Sequence, residues 1–308
     1  MLAAAAMTCV GSSVAVSATV VDAPLFTLQA VRYTLAALLL AFLGRATGRR
    51  LPRLRGREWA WLCGVALTGL VLFNVGVVRG TAHAEPAVIG VAVAAVPLVL
   101  ALGGPLISGM RPAGGVIAGA VVVSVGAALV SGGGRTDLAG LGWAAVVLAG
   151  EVAFTLLAVP VLGRIGPWAV ALHTVWLAAV MLAVLGVVVE GPAAVGTLDT
   201  GDLAAAAHLA IVVTAVAFVL WYTAVTRLGA DRAGLFTGVV PVTAAAGGVL
   251  VGAPAPAPVV WAGMALVAVG LGVGLSARVG TSAAVSREWA GLNPGAGSST
   301  IAGARTSP

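Results

Sequence analysis

Long apolar runs broken by short polar segments set the pattern of this chain. Runs of about 20 mostly apolar residues, enough to cross a bilayer core as a helix, fall at residues 2–20, 24–43, 59–78, 87–107, 113–131, 138–159, 167–189, 203–224, 233–251 and 258–277. The breaks are charged or rich in turn formers: "VVDAP", "GRATGRRLPRLRGRE", "GTAHAEP", "GMRP", "GGGRTD", "GRIGP", "EGPAAVGTLDTGD", "RLGADR" and "GAPAPAP". The pattern predicts an all-α integral membrane protein with ten transmembrane helices. Residues 280–308 hold no apolar run and are rich in Gly, Ser, Ala and Thr, so a disordered tail is expected there. The first run begins almost at Met1, as it would behind a misassigned start codon or a clipped terminus; it lacks a basic leader, so a secretory signal is not expected.

One frame is written twice. "GVAVAAVPLVLALGGPLISGMRP" starts at Gly90, and "GLFTGVVPVTAAAGGVLVGAPAP" starts at Gly234. With an offset of 144, Pro97 meets Pro241, Gly103-Gly104 meets Gly247-Gly248, and Pro112 meets Pro256. Further on, Gly119 meets Gly263 and Gly126 meets Gly270. Matches among Ala and Val are cheap in such a chain, whereas prolines and glycines in fixed register are not. The frame predicts two five-helix repeats, residues 1–134 and 135–279. Five is an odd number, so the second repeat enters the membrane from the opposite side. That inverted topology is a hallmark of secondary transporters. Pro97 and Pro241 each remove a backbone hydrogen bond and are expected to kink their helices, as static bends or as hinges lining a cavity.

Composition fits this reading. Of the 308 residues, 60% are hydrophobic and 8% charged, against about 25% charged in soluble domains. The net charge of +6 does not point to nucleic acid, because the basic residues sit in the gaps between apolar runs. With the N-terminus placed in the cytoplasm, the inward gaps and tail collect 13 of the 16 arginines, from Arg45, Arg49, Arg50, Arg53, Arg55 and Arg57 to Arg278, Arg287 and Arg305. Only Arg79 and Arg135 face outward. This positive-inside bias predicts cytoplasmic termini. All basic residues are Arg, which with abundant Ala, Gly and Val suggests a GC-rich genome and a bacterial inner membrane. Cys9 and Cys63 lie inside apolar runs, and with His83, His173 and His208 they show no metal-ligand spacing, so no metal or cofactor is expected. No nucleotide loop or nucleophile arrangement is present, and the chain is not expected to be an enzyme.

The two five-span halves, Arg32 within "LQAVRYTLAALLLAFL", and the motifs "GVVRGTAHAEPAVIGVAVAAVP" and "WYTAVTRLGADRAGLFTGVVP" together resemble the drug/metabolite transporter superfamily, specifically its EamA-type ten-helix exporters. The resemblance covers roughly residues 3–278. In that family an Ala-rich stretch after the third helix of each half leads into a mid-helix proline, matched here by Pro97 and Pro241. A Gly-Glu pair often following that helix has no counterpart in "SGMRP" or "VGAPAP". The resemblance implies movement of amino acids, nucleobases, sugars or toxic metabolites, often outward.

Polar side chains at bilayer depth need a reason. Arg32 lies about 12 Å, Glu151 about 20 Å and His173 about 21 Å from the outer face at 1.5 Å per residue. Glu151 and His173 therefore share a depth on consecutive helices. They are expected either to form a titratable proton-exchanging pair or to lock two helices by a hydrogen bond. Arg32 is expected to brace the bundle, matching a basic position common in the family, or to meet a substrate carboxylate. Asn74, Trp221 and Tyr222 occupy corresponding helices of the two halves and suit a binding wall for an uncharged or zwitterionic solute, or interfacial anchoring. Trp176 faces either a cavity or lipid; Trp61 and Trp168 are expected anchors. The expected function is alternating-access transport of a small organic solute, proton-linked or by facilitated diffusion. The rival is a non-transporting scaffold or sensor subunit. Expected partners are the solute and membrane lipid, with no nucleic acid and a homodimer left open.

Overall fold

In the computed structural model of the chain, residues 1–20, 22–49, 51–250 and 256–277 are described. The expected tail at 280–308 and the arginines at 50, 278, 287 and 305 lie outside them. The described residues are helical throughout and carry no strand, with one isolated bridge pairing Ala84 and Thr136. In chain order the helices are α1 Leu2–Ser17, α2 Leu25–Ala46, α3 Gly56–Gly80, α4 Pro86–Ile107, α5 Gly114–Ser131, α6 Leu138–Leu156, α7 Val159–Glu190, α8 Thr200–Leu228, α9 Val239–Leu250 and α10 Pro258–Ser276. A short helix, Ala230–Gly234, and a 3-10 turn, Leu235–Gly238, lead into α9.

Eight of these helices, α2 to α8 and α10, are long and apolar enough to cross a membrane. α1, with 16 residues, is shorter than a core-spanning helix, and 12 residues of α9 are described.

Local chemistry sets the ends. Asp137 caps α6 by accepting from the Gly140 amide at 2.7 Å, and Asp199 caps α8 by accepting from Asp202 at 2.8 Å. Pro86 and Pro258 open α4 and α10, where a missing N–H costs nothing. Gly229, at φ 85°, ends α8. The seventh apolar run was expected to start at 167; the backbone leaves the helical region at Gly166 (φ 80°), just before Pro167, so within α7 a short helical stretch from Val159 and the long one from Pro167 meet at a sharp kink. Inside α4 the α-helix breaks at Ala95, two residues before Pro97, and the 3-10 turn before α9 precedes Pro241.

Three helices also widen into π-turns: Val65–Leu72 in α3, Gly186–Glu190 in α7 and Leu209–Val216 in α8. The landmarks are spaced regularly. Helix or turn starts at Gly56, Val65, Phe73, Pro86 and Gly114 have counterparts at Thr200, Leu209, Ala217, Ala230 and Pro258, each 144 residues later.

Packing follows the same plan. α1 packs on α8 and α9, while α6 packs on α3 and α4; α2 packs on α7, and α5 on α10. The α5–α10 seam runs antiparallel through glycines. A Cβ on Gly119 would lie 2.7 Å from the Gly270 carbonyl oxygen, and one on Gly126 would lie 2.7 Å from that of Gly263. Only glycine lets two backbones approach so closely. The main core gathers side chains of α1, α2, α3, α7 and α8, including Tyr33, Leu40, Leu62, Leu182 and Tyr222. Leu38, Phe42, Leu67, Val180, Val184 and Val188 point outward, as a lipid-facing surface requires.

Candidate functional site

Two polar groups lie among the central helices. The first joins α2, α3 and α8. Arg32 is 9% exposed; its Nε donates to Thr214 Oγ1 at 3.0 Å and an Nη donates to Gln29 Oε1 at 3.2 Å. Its guanidinium carbon lies 4.9 Å from the Tyr33 ring centre. The Tyr33 hydroxyl accepts from Asn74 Nδ2 at 3.1 Å, and the same amide donates to the Leu70 carbonyl at 2.6 Å. Leu70 and Thr214 sit inside the π-turns of α3 and α8, 144 residues apart. A π-turn disturbs the regular backbone ladder and often marks functional positions. Here Thr214, in the α8 π-turn, accepts from another helix, while the Leu70 carbonyl in the α3 π-turn anchors Asn74 of its own helix, which reaches across to Tyr33.

The second group joins α6, α7 and α8. Trp221 Nε1 donates to Thr155 Oγ1 at 3.1 Å, and the Tyr222 hydroxyl donates to the Phe154 carbonyl at 3.2 Å. The Phe154 ring lies 4.7 Å from that of Phe218 and 5.1 Å from that of Tyr222. The Tyr222 hydroxyl also lies within electrostatic reach of the Glu151 carboxyl and beside the Thr174 hydroxyl. Glu151 is half-buried in the bundle and has no hydrogen-bond or ion-pair partner among the described residues.

His173 is elsewhere. Trp176 Nε1 donates to His173 Nδ1 at 3.0 Å, and the Trp59 ring closes on both, 6.2 Å from His173 and 5.9 Å from Trp176. Because Nδ1 accepts, the ring proton sits on Nε2, which is buried and unpartnered among the described residues. Glu151 and His173 therefore do not meet in this structure. Depth along a helix was readable from residue counts, but the direction around its axis was not, and the two side chains point into different neighbourhoods. Arg32 meets Thr214 and Gln29 rather than Glu151.

Sequence reasoning missed Tyr33, Thr155, Thr174 and Thr214. Threonine gives little signal in an apolar run, because its hydroxyl usually returns to its own helix, as Thr68, Thr223 and Thr226 do toward the carbonyl four residues back. Thr155 and Thr214 differ in accepting from other helices. Tyr33 could have been found as the aromatic neighbour of the buried Arg32. The polar end loops also interlock: His83 lies 3.1 Å from Asp137, and Arg135 Nε donates to Glu85 at 2.8 Å. The Gly140 amide, then His83, hold the Asp137 carboxyl below the usual carboxylate range. An apolar cleft of 470 Å³ between α4 and α6, lined by Val99, Leu148 and Val152 among others, is set apart from the central polar side chains.

The model of the EamA-like transporter family matches residues 1–132. Over those residues the chain is similar to the EamA-like transporter family. A probable terminal-alkyne amino-acid exporter from Streptantibioticus cattleyicolor is 30% identical over 202 residues, 64% of this chain and 66% of its own length, just under two thirds. The uncharacterized transporter YetK from Bacillus subtilis is 26% identical over 257 residues, covering 78% of this chain and 76% of that one. A solved crystal structure aligns with a TM-score of 0.77 at 21% identity, covering 90% of this chain and 97% of its own; that likeness concerns the fold alone. Eight helices long and apolar enough to cross a membrane, together with the likeness to EamA-like transporters, support a multi-pass membrane protein.

Proposed function

We propose that the protein is a secondary transporter that exports a small organic solute from a bacterial cell by alternating access. In this reading ten helices cross the inner membrane, residues 1–134 and 135–279 form two five-helix halves of opposite orientation, and both termini are cytoplasmic. One observation carries it: the Gly–Pro frame and the backbone landmarks of α3 to α5 and α8 to α10 share a single offset of 144, and the equivalent helices α5 and α10 pack antiparallel through reciprocal glycines. Two antiparallel helices exchanged by a two-fold rotation need an axis perpendicular to both. Such an axis lies in the membrane plane, the arrangement that lets one protein alternate between two mirror-like states.

The preferred solute is a zwitterion of the amino-acid class. Supporting it are the guanidinium, amide, phenol and carboxyl groups of Arg32, Asn74, Tyr222 and Glu151 in the bundle, and the name of the Streptantibioticus relative as an amino-acid exporter. Glu151 takes the coupling role. An unpaired carboxylate at this depth is costly when ionised, so proton uptake and release can follow the entry of solute or water. Uptake and efflux in proteoliposomes, against a panel of amino acids and nucleobases with and without a pH gradient, tests both points. Amino-acid movement driven by the gradient is expected, and Glu151→Gln should reduce it to the gradient-free level. Driven accumulation retained in that variant contradicts the coupling role. A wild-type protein that moves none of the panel contradicts the solute class.

A further inference from the structure

The two ends of the α2–α7 pair are closed differently. At one end Glu190, on α7, receives the Phe26 amide at 2.8 Å, the Thr27 amide at 2.8 Å and the Thr27 hydroxyl at 2.7 Å. A carboxylate there satisfies the free amides at the start of α2 and fastens the helices together. At the other end no carboxylate joins α2 to α7 among the described residues, and Glu58 there is engaged by Arg164 of α7. A cleft of 240 Å³ opens between the last turns of α2 and Trp168 of α7.

The local fold arms this cleft with positive charge. Gly48, at φ 64°, turns the chain back at the end of α2, so that the Arg49 amide bonds the Gly44 carbonyl at 2.9 Å. This turn places the Arg49 guanidinium 4.8 Å from the Trp168 ring centre. Arg45 lines the same cleft, and among the described residues neither arginine has an ion-pair partner. Two full charges exceed the half negative charge of a helix C-terminus. The Trp168 Nε1 is buried and makes no hydrogen bond among the described residues. It faces Gly44, where a Cβ would lie only 3.1 Å from it. Leu40 and Leu172 complete the wall with hydrocarbon.

We propose that this cleft binds the phosphate of an anionic membrane lipid, with Arg45 and Arg49 as its charge partners and the Trp168 indole N–H as a directed donor. The apolar wall favours a headgroup attached to acyl chains over a free ion. A lipid seated there fastens α2 to α7 at the arginine-rich end, as Glu190 does at the other, and so tunes how readily this helix pair separates.

The test is equilibrium binding of dioctanoyl-phosphatidylglycerol to the purified full-length protein in neutral detergent. Dioctanoyl-phosphatidylcholine and inorganic phosphate serve as competitors. Saturable binding is expected, with weak competition from either. The Arg45→Gln/Arg49→Gln variant should bind at least about tenfold more weakly, since each basic residue near the membrane surface contributes about fivefold. Trp168→Phe keeps the ring and removes only the donor, and should weaken binding about threefold. Arg57→Gln, a charge outside the cleft, should leave it unchanged. If the double variant fails to fold, Trp168→Phe decides the matter. Binding unchanged in Trp168→Phe, equal binding of phosphatidylcholine, or full displacement by equimolar inorganic phosphate would overturn the proposal.

Discussion

Along α3 and α8 the backbone passes from α to π and back at matching places, Val65–Leu72 and Leu209–Val216, although the side chains there are not matched. Leu70 stands where α8 has Thr214, Asn74 where it has Phe218, and Val77-Val78 where it has Trp221-Tyr222. A wide turn that survives such replacement belongs to the scaffold rather than to one side chain. The chemistry, in contrast, is lopsided. α3 contributes one amide to the Tyr33 hydroxyl. α8 contributes Thr214 to Arg32, and Trp221 and Tyr222 to the neighbourhood of Glu151. A symmetric frame can thus supply movement while an asymmetric lining supplies recognition, so the solute site is expected on the α6–α7–α8 side.

The shared frame should break most easily at its glycine seam. A Cβ at Gly119 would meet the Gly274 backbone at 2.5 Å, whereas one at Gly272 of α10 meets nothing within 4 Å. Gly119→Val should therefore destabilise the protein by about 1–3 kcal/mol or more, because backbones must separate to admit it. Gly272→Val should change stability by less than about 0.5 kcal/mol. Thermal unfolding in detergent, read side by side, measures the contrast. The asymmetric lining should yield next. Arg32→Leu leaves the buried Thr214 without its donor and should cost about 1–3 kcal/mol. In a double-mutant cycle with Thr214→Val the two changes should couple by about 1 kcal/mol; additive losses would show that Arg32 does not brace α2 against α8.

The smallest effect is expected at the loop joining α5 and α6. Asp137 has its folded pKa held below the ordinary carboxylate value by the Gly140 amide and His83. Its contribution is present above the unfolded pKa of about 4 and is lost as pH falls through the folded value. Asp137→Asn should therefore lower the melting temperature slightly at pH 7, and the gap from wild type should close as the pH falls through the folded value. A gap that widens on acidification would contradict this sign.

The helices were readable in the sequence because their signals are local. Apolar length, the caps at Asp137 and Asp199, the prolines at 86 and 258, and the turn at Gly229 each act within a few residues. The Gly–Pro frame was readable for the same reason. The π-turns were not: Val65–Leu72 and Leu209–Val216 are ordinary apolar stretches, and their register is set by packing against neighbouring helices. The central cluster was readable only in part. Arg32, Asn74, Glu151 and Tyr222 stand out as polar groups in apolar runs, but which of them meet depends on rotation about each helix axis. Thus His173 is found with Trp59 and Trp176, and the threonines that complete the two clusters resemble those bonded within their own helices.

Positions 83 and 227 are 144 residues apart, at the ends of α3 and α8, and both are exposed. In a chain whose Cys9 and Cys63 are replaced by Ser, His83→Cys and Arg227→Cys can each be challenged with a membrane-impermeant maleimide on intact and on permeabilised cells. Opposite-facing halves require labelling from opposite sides, with position 83 reached in intact cells and position 227 only after permeabilisation. Labelling of both from the same side would mean that the two halves run the same way up, and the inverted repeat on which alternating access rests would be wrong.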